Sequence, residues 1–270
     1  MNKKIVQDKA TQRMRNIKKI KKKRRLVTLS LFLLIVIGIV GLVFLCNSDF
    51  FNIKKIIVVG NKHVSEDKII KQSSIGTNTS LFGLPSNEIR TRILKEAWIE
   101  DVEVVRHFPN SVELKVVERE AIAIVPFQDI YLIVDKNLVV LESRESIDDL
   151  ALPVILDLKL TKAKIGEKIN LPSLENAVNC LVSFDKDFRK TIIMANAPSI
   201  EKLTLMISVK NGDGELHDVE VLYGEADDED VALRKNAIIK KILTESKKHV
   251  IYIDVRVVTN PAVKFLDDVY

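Results

Sequence analysis

Residues 26–45, LVTLSLFLLIVIGIVGLVFL, form twenty consecutive positions without a charge, sixteen of them Leu, Ile, Val or Phe. At about 1.5 Å per residue a helix of that length reaches roughly 30 Å, the depth of a bilayer's hydrocarbon core, and it satisfies every backbone group within itself. Each large apolar residue contributes about −0.3 to −0.6 kcal/mol at the membrane centre, so insertion is favourable by on the order of 5 to 10 kcal/mol as an upper bound. One membrane span is therefore expected, and the rest of the chain must be distributed on its two sides.

The flanks orient it. Residues 15–25, RNIKKIKKKRR, carry eight Lys or Arg just before the span, whereas residues 46–49, CNSD, carry one acid and no base. The basic side stays in the cytoplasm, which predicts a type II protein with everything from about residue 47 outside. A cleaved signal peptide would have an apolar region of about 7 to 15 residues and a small-residue exit; this stretch is longer and leaves through bulky side chains. A lipoprotein signal would use Cys46, but Leu45 stands where such signals place a small residue. A basic run beside a span sets topology and attracts anionic lipid, at about 1 kcal/mol per charge, in preference to binding nucleic acid. Gly38 and Gly41 fall one residue short of the small-residue spacing of packed membrane helices.

Charge sharpens the picture. The whole chain is +5, but residues 1–25 hold twelve bases and one acid, so the remaining residues sum to −6. A mildly acidic outer part argues against nucleic acid as its partner. The two cysteines, Cys46 and Cys180, make no disulfide framework, so the roughly 220 outer residues must fold around an apolar core.

Residues 1–25 lack apolar periodicity and are expected to be a disordered or membrane-hugging arm. Phe50 and Phe51 fall at the membrane interface, and residues 46–51 read as a linker. Residues 53–59 predict a strand ending at the turn pair Gly60-Asn61. Ser65 predicts a helix N-cap, with Val64 stapled to Ile69 and Gly76 as the stop. A second helix opens at Ser86 with Ile89, Ile93, Leu94 and Ala97 on one side and Trp98 as a core anchor. Strands over 102–107 and 112–118 follow, joined across Phe108-Pro109-Asn110; Val112, Leu114 and Val116 alternate with Glu113 and Lys115.

These residues, taken in order after a type II anchor, resemble the polypeptide-transport-associated (POTRA) domain of the bacterial cell-division family FtsQ/DivIB. The likeness rests on the Val-x-Gly-Asn turn at residues 58–61, the block PSNEI at 85–89, Trp-Ile-x-x-Val at 98–102, the hairpin RHFPN at 106–110 and the exit VERE at 117–120. The expected fold is α+β: a single N-terminal transmembrane helix, then a POTRA-like β-α-α-β-β domain over 52–119, then a β-rich domain with flanking helices over 120–258 and a tail over 259–270.

In that second region residues 121–125, 130–134 and 138–141 predict strands, with a turn at Asp135-Lys136-Asn137. Ser173 predicts a helix start, with Leu174, Ala177, Val178, Leu181 and Val182 on its apolar face and Cys180 on or beside its flank. Leu203 to Val209 and Val219 to Tyr223 predict a hairpin around Asn211-Gly212-Asp213-Gly214. The acids of residues 227–230, DDED, read as a helix start complementing Lys240, Lys241, Lys247 and Lys248 at its far end, with no metal implied. Residues 250–258, VIYIDVRVV, predict the last strand, stopped before Asn260-Pro261.

The region resembles the β-domain of the same family, whose closing strand reads close to Ile-Asp-x-Arg before a Pro-containing tail, as do Ile253 to Arg256 and Pro261 here. The resemblance implies that this strand and its following segment bind the extracytoplasmic ends of two small bitopic division proteins, FtsB/DivIC and FtsL, by strand addition at an open edge, and so regulate septal wall synthesis. The residues expected to carry that contact are Tyr252, Asp254, Arg256, Val257, Pro261, Val263 and Phe265. Where some relatives have an aromatic residue after the Arg this chain has Val257, and Tyr252 and Phe265 supply aromatic anchors nearby.

Catalysis finds little support. His63, His107, His217 and His249 are scattered and form neither H-E-x-x-H nor a G-x-S-x-G elbow. Cys180, with His249 and Arg256, would be the nucleophile of a membrane-anchored wall enzyme, but a thiol in a mid-helix apolar stripe is ordinarily buried and inert. No cofactor, metal or small-molecule substrate is expected.

Overall fold

The structure is a computed structural model that describes residues 2–46, 48–76, 79–210, 216–226, 228–246 and 248–266. Helix α1 (Asn2–Cys46) runs forty-five residues without a break. Within it Lys21–Phe44 is long and apolar enough to cross a membrane, its most apolar 18-residue stretch having a mean hydropathy of 3.0, and its side chains are exposed throughout. The amino-terminal arm, expected to be disordered or membrane-hugging, is helical back to Asn2. Lys, Arg, Gln and Ala are good helix formers, and a helix already nucleated in the apolar segment extends without a second nucleation cost.

By packing density the chain divides into two units, one of residues 1–57, 74–86 and 104–114 and one of residues 58–73, 87–103 and 115–270. After a single 3₁₀ turn at Asp49–Phe51 come β1 (Lys55–Val59), α2 (Glu66–Ser73), α3 (Ser86–Ile93), β2 (Ile99–His107) and β3 (Ser111–Glu118). This is the expected β-α-α-β-β order, in a sheet arranged β1-β3-β2. The Ser65 hydroxyl accepts the Lys68 N–H at 3.4 Å, and Val64 and Ile69 are buried, as the N-cap and staple require. The helix stops earlier than Gly76: Ser74 already has φ +52°. The orphan carbonyls of the last turn are met locally, Ile70 by the Ser73 hydroxyl at 2.6 Å and Ser73 by the Arg92 guanidinium at 3.1 Å, so no glycine is needed there. Gly60, by contrast, has φ +91°, and a Cβ on it would collide with the Val116 carbonyl. The turn after it is held by Glu118, whose carboxylate accepts the N–H groups of Lys62, His63 and Val64 at 2.8–2.9 Å. Trp98 is half-buried, stacked on His63 at 4.3 Å and packed against Ile124, Ile133 and Leu141.

The second sheet has nine strands: β4 (Ala121–Phe127), β5 (Ile130–Asp135), β6 (Val140–Arg144), β7 (Val154–Leu156), β8 (Ile192–Asn196), β9 (Thr204–Lys210), β10 (Leu216–Leu222), β11 (Val250–Asp254) and β12 (Ala262–Phe265). Their order is β12-β11-β10-β9-β8-β7-β4-β5-β6. Most neighbours are antiparallel, but β4 with β7, β7 with β8, and β10 with β11 are parallel. The last two need crossovers: α4 (Pro172–Ser183) and α5 (Lys186–Arg189) supply one, α6 (Glu229–Glu245) the other. Strands β9 and β10 pair from Thr204↔Leu222 to Lys210↔Leu216; the turn expected at residues 211–214 lies outside the described residues.

Helix α4 begins at Pro172, one residue before Ser173, because proline's fixed φ suits the first turn. Leu174, Ala177, Val178 and Leu181 enter the core as expected, but Cys180 is fully buried while Val182 is 40% exposed, so the apolar face is rotated toward the thiol. At α6 the Asp228 carboxylate accepts the Val231 N–H at 3.0 Å, the capping role expected of the acid run; Asp227 and Lys247 lie outside the described residues. Leu138, expected in a strand, has φ +65° and precedes β6. There the Asp135 carboxylate gathers the N–H groups of Asn137 and Val139 and, at 2.7 Å, the Arg119 guanidinium, so the turn is longer than the alternation suggests.

Candidate functional site

The closing strand carries the main departure from expectation. Its alternation continues to Val258, yet β11 ends at Asp254. The Asp254 carboxylate accepts the Arg256 backbone N–H at 3.0 Å, an i to i+2 bond that competes with a ladder and bends the chain. After a turn closed by the Asn260 N–H on the Val257 carbonyl at 3.1 Å, the chain reverses at Pro261 and returns as β12. Strand β11 is therefore an inner strand, flanked by β10 in parallel and β12 in antiparallel register, and the rim of the sheet is β12.

The residues picked out by resemblance fall into two groups. Tyr252 and Asp254 on β11 and Val263 and Phe265 on β12 share the sheet end, with Tyr252 between Glu220 and Lys264, Ile253 opposite Val263, and Val250 opposite Phe265. Val263 and Phe265 pack partly against the core, and the Lys248 ammonium lies 5.5 Å from the Phe265 ring. Arg256, Val257 and Pro261 form the exposed connecting turn, with Val257 60% exposed. The guanidinium of Arg256 grips Asp254 through contacts of 2.6–3.2 Å. That hydrogen bond first of all holds the Asp254 carboxyl below its ordinary range, and the same pair raises Arg256. Burial, then the Asp254 charge, pushes the Tyr252 hydroxyl up.

Behind the turn stands a polar scaffold that the sequence did not flag. Gly224, with φ +72°, lies against the Arg256 side chain, so that a Cβ there would meet Arg256 Cγ at 3.2 Å. The buried Asn176 of α4 donates to the Gly224 and Ile200 carbonyls, each at 3.1 Å, and accepts the Ala226 N–H at 2.7 Å. Lys235 of α6, also buried, donates to the Tyr223 and Glu225 carbonyls at 2.9 and 2.8 Å. A buried amide must find partners, but nothing in the sequence separates the buried Asn176 from Asn179, three residues on and exposed.

The candidate nucleophile has a different setting. Burial pushes the Cys180 thiol well above its ordinary range, with Tyr223 as its hydrogen-bond neighbour. His249 stacks on His217 at 5.8 Å, and Arg256 is committed to Asp254, so each member of that trio has other company. Among the described residues no three His, Cys, Asp or Glu side chains are grouped to hold a metal.

Residues 51–119 match the family model of the FtsQ-type POTRA domain. The chain is similar to the cell division protein DivIB of Clostridium acetobutylicum, with 33% identity over 225 residues, which cover 82% of this chain and 86% of that one. DivIB of Clostridium tetani is 27% identical over 201 residues, 72% of each chain. Cell division protein FtsQ of Syntrophotalea carbinolica is 30% identical over 138 residues, 51% of this chain and 49% of that one.

Proposed function

The chain belongs to the DivIB/FtsQ family of cell-division proteins, and from that premise we propose that it is a bitopic scaffold of the division septum whose work is binding. Its basic amino-terminal helix lies on the cytoplasmic side, where the bases next to the span, Lys21 to Arg25, face anionic lipid; α1 crosses the membrane once, and the two sheets stand outside. The sheet end formed by β11 and β12 docks the extracytoplasmic segments of small bitopic partners of the FtsB/DivIC and FtsL type, and through them regulates septal wall synthesis.

One observation carries the docking reading: among the described residues β12 has a neighbour on one side only. A four-residue rim strand offers backbone N–H and C=O groups that an incoming strand completes, with Phe265 and the exposed Val257 as side-chain anchors. Successive residues of a strand present their backbone groups to opposite sides. Val263→Pro and Lys264→Pro therefore divide the labour, one removing a donor that faces the partner and the other a donor that faces β11. The test is capture of the partners' extracytoplasmic segments by the full chain in nanodiscs. Both proline variants and Val257→Glu are expected to lose capture while retaining near-ultraviolet circular dichroism. Undiminished capture by all three folded variants sinks the edge reading.

A further inference from the structure

Four phenylalanines from three separate parts of the sequence meet beside the end of α1. Phe51 lies 5.1 Å from Phe50, 4.9 Å from Phe82 and 6.5 Å from Phe108, and Phe82 lies 5.3 Å from Phe108, most of them edge-to-face. The backbone fixes this arrangement. Leu81 N–H donates to the Phe51 carbonyl at 2.9 Å, Ile53 N–H to Thr79 at 3.0 Å and Lys54 N–H to Asn110 at 2.9 Å, while Leu81 and Leu84 are buried beneath. Yet Phe50, Phe82 and Phe108 remain 60%, 48% and 60% exposed. Rings held so firmly and left so bare mark a surface built for an apolar environment.

We propose that this patch is a second membrane contact, in which the rings of Phe50, Phe82 and Phe108 sit in the headgroup and upper acyl region of the outer leaflet and hold the first folded unit against the bilayer. The proposal rests on the reading of α1 as a span, and that reading selects the occupant. Helix α1 ends at Cys46, four residues before Phe50, so extended chain carries Phe50 at most about 14 Å from the helix end. The polar zone of a leaflet is roughly 5–7 Å deep, and apolar rings of peripheral elements bury about 5–10 Å into that boundary. Exposed Lys54 and Lys55 flank the patch and suit lipid phosphates, while the acids nearby are engaged, Asp49 by the Asn52 side chain at 2.8 Å and Glu113 by His107 at 2.7 Å. The device works as a second foot: the span fixes depth, and the patch limits how far the unit can swing from the surface.

The test places indoles at the contact. Full-length protein is reconstituted in vesicles of phosphatidylcholine and phosphatidylglycerol, the phosphatidylcholine brominated on its acyl chains near the headgroup. Phe82→Trp and Phe108→Trp each add one indole to the chain's single Trp98, which is half-buried against His63 and serves as the background. Val36→Trp, within the span, reports on α1. The emission added at positions 82 and 108 is expected to fall by about half in brominated vesicles, as for rings at the acyl boundary, and to be unaffected by bromide on the lipids' far chain ends. Strong quenching at position 36 by bromide on the far chain ends, with none at 82 or 108 by bromide near the headgroup, overturns the patch and leaves the span standing, the rings then being free for a protein partner. Absence of quenching at position 36 by the chain-end bromide removes the span, and this proposal with it.

Discussion

Replacing Asn176 by Ala tests whether the scaffold behind the turn between β11 and β12 is held by one amide. Asn176 is 5% exposed and makes three hydrogen bonds, of which those to the Gly224 carbonyl and from the Ala226 N–H are fully buried. Truncation leaves that carbonyl and that N–H without the partner they had, at about 1–3 kcal/mol each. With the smaller loss at the half-buried Ile200 carbonyl, the expected destabilisation is about 3 kcal/mol. For a folding unit of 150–250 residues this lowers Tm by about 6–12 °C, measured by scanning calorimetry on the full chain in detergent. Asn176→Asp keeps an acceptor for Ala226 but sets a carboxylate oxygen against two carbonyls, so at neutral pH it is expected to be no more stable than the Ala variant. A fall below about 2 °C for Asn176→Ala would mean that water replaces the amide and that segment 224–226 is fixed by something else.

Three further outcomes follow from other sites. The Asp185 carboxyl, bonded first to Lys240 and then to the Phe188 N–H, drops from its ordinary 3.8 to about 2. Its folded-state value is depressed, so the stability it contributes is present above pH 3.8 and lost as pH falls toward 2; Asp185→Asn should flatten the acid limb of a stability–pH curve in that window, and an unchanged limb removes the pair from solution. Gly60→Ala puts a Cβ at φ +91° against the Val116 carbonyl and should cost about 2 kcal/mol or more, read as a lowered Tm; a neutral effect would show that the turn relaxes freely. Cys180→Ala removes a buried sulfur at about 1–2 kcal/mol and should leave division complementation intact, with the native thiol slow to alkylate; a folded variant that fails to complement revives the nucleophile reading.

How much of this was visible in the sequence depends on what each signal encodes. Apolar runs, Ser65, the acid run before α6 and the alternation of Val112, Leu114 and Val116 are local, and local rules found them. Alternation says which face a residue occupies but not which strand lies beside it, so the parallel pairing of β10 with β11 across α6 left no local trace. The end of β11 was missed because the pattern of residues 250–258 stays regular while one carboxylate, Asp254, captures the N–H of Arg256 and turns the chain. Of the expected contact residues, Tyr252, Asp254, Val263 and Phe265 do share one sheet end, but as two strands where the pattern suggested one. Asn176 and Gly224 were invisible because their importance arises from a meeting of α4 with a segment nearly fifty residues later.

The unbroken course of α1 has a mechanical corollary. Membrane helices lean by about 20° on average and change lean when neighbours or bilayer thickness change. Because the cationic arm is one rod with the apolar segment, in the topology proposed above such a lean is not absorbed at a joint: the roughly 37 Å of helix before residue 26 acts as a lever, and a 20° lean carries its tip about 13 Å sideways. In that topology a change of lean at the carboxy-terminal end of α1 is felt at the tip of the basic arm with no rearrangement inside the helix itself.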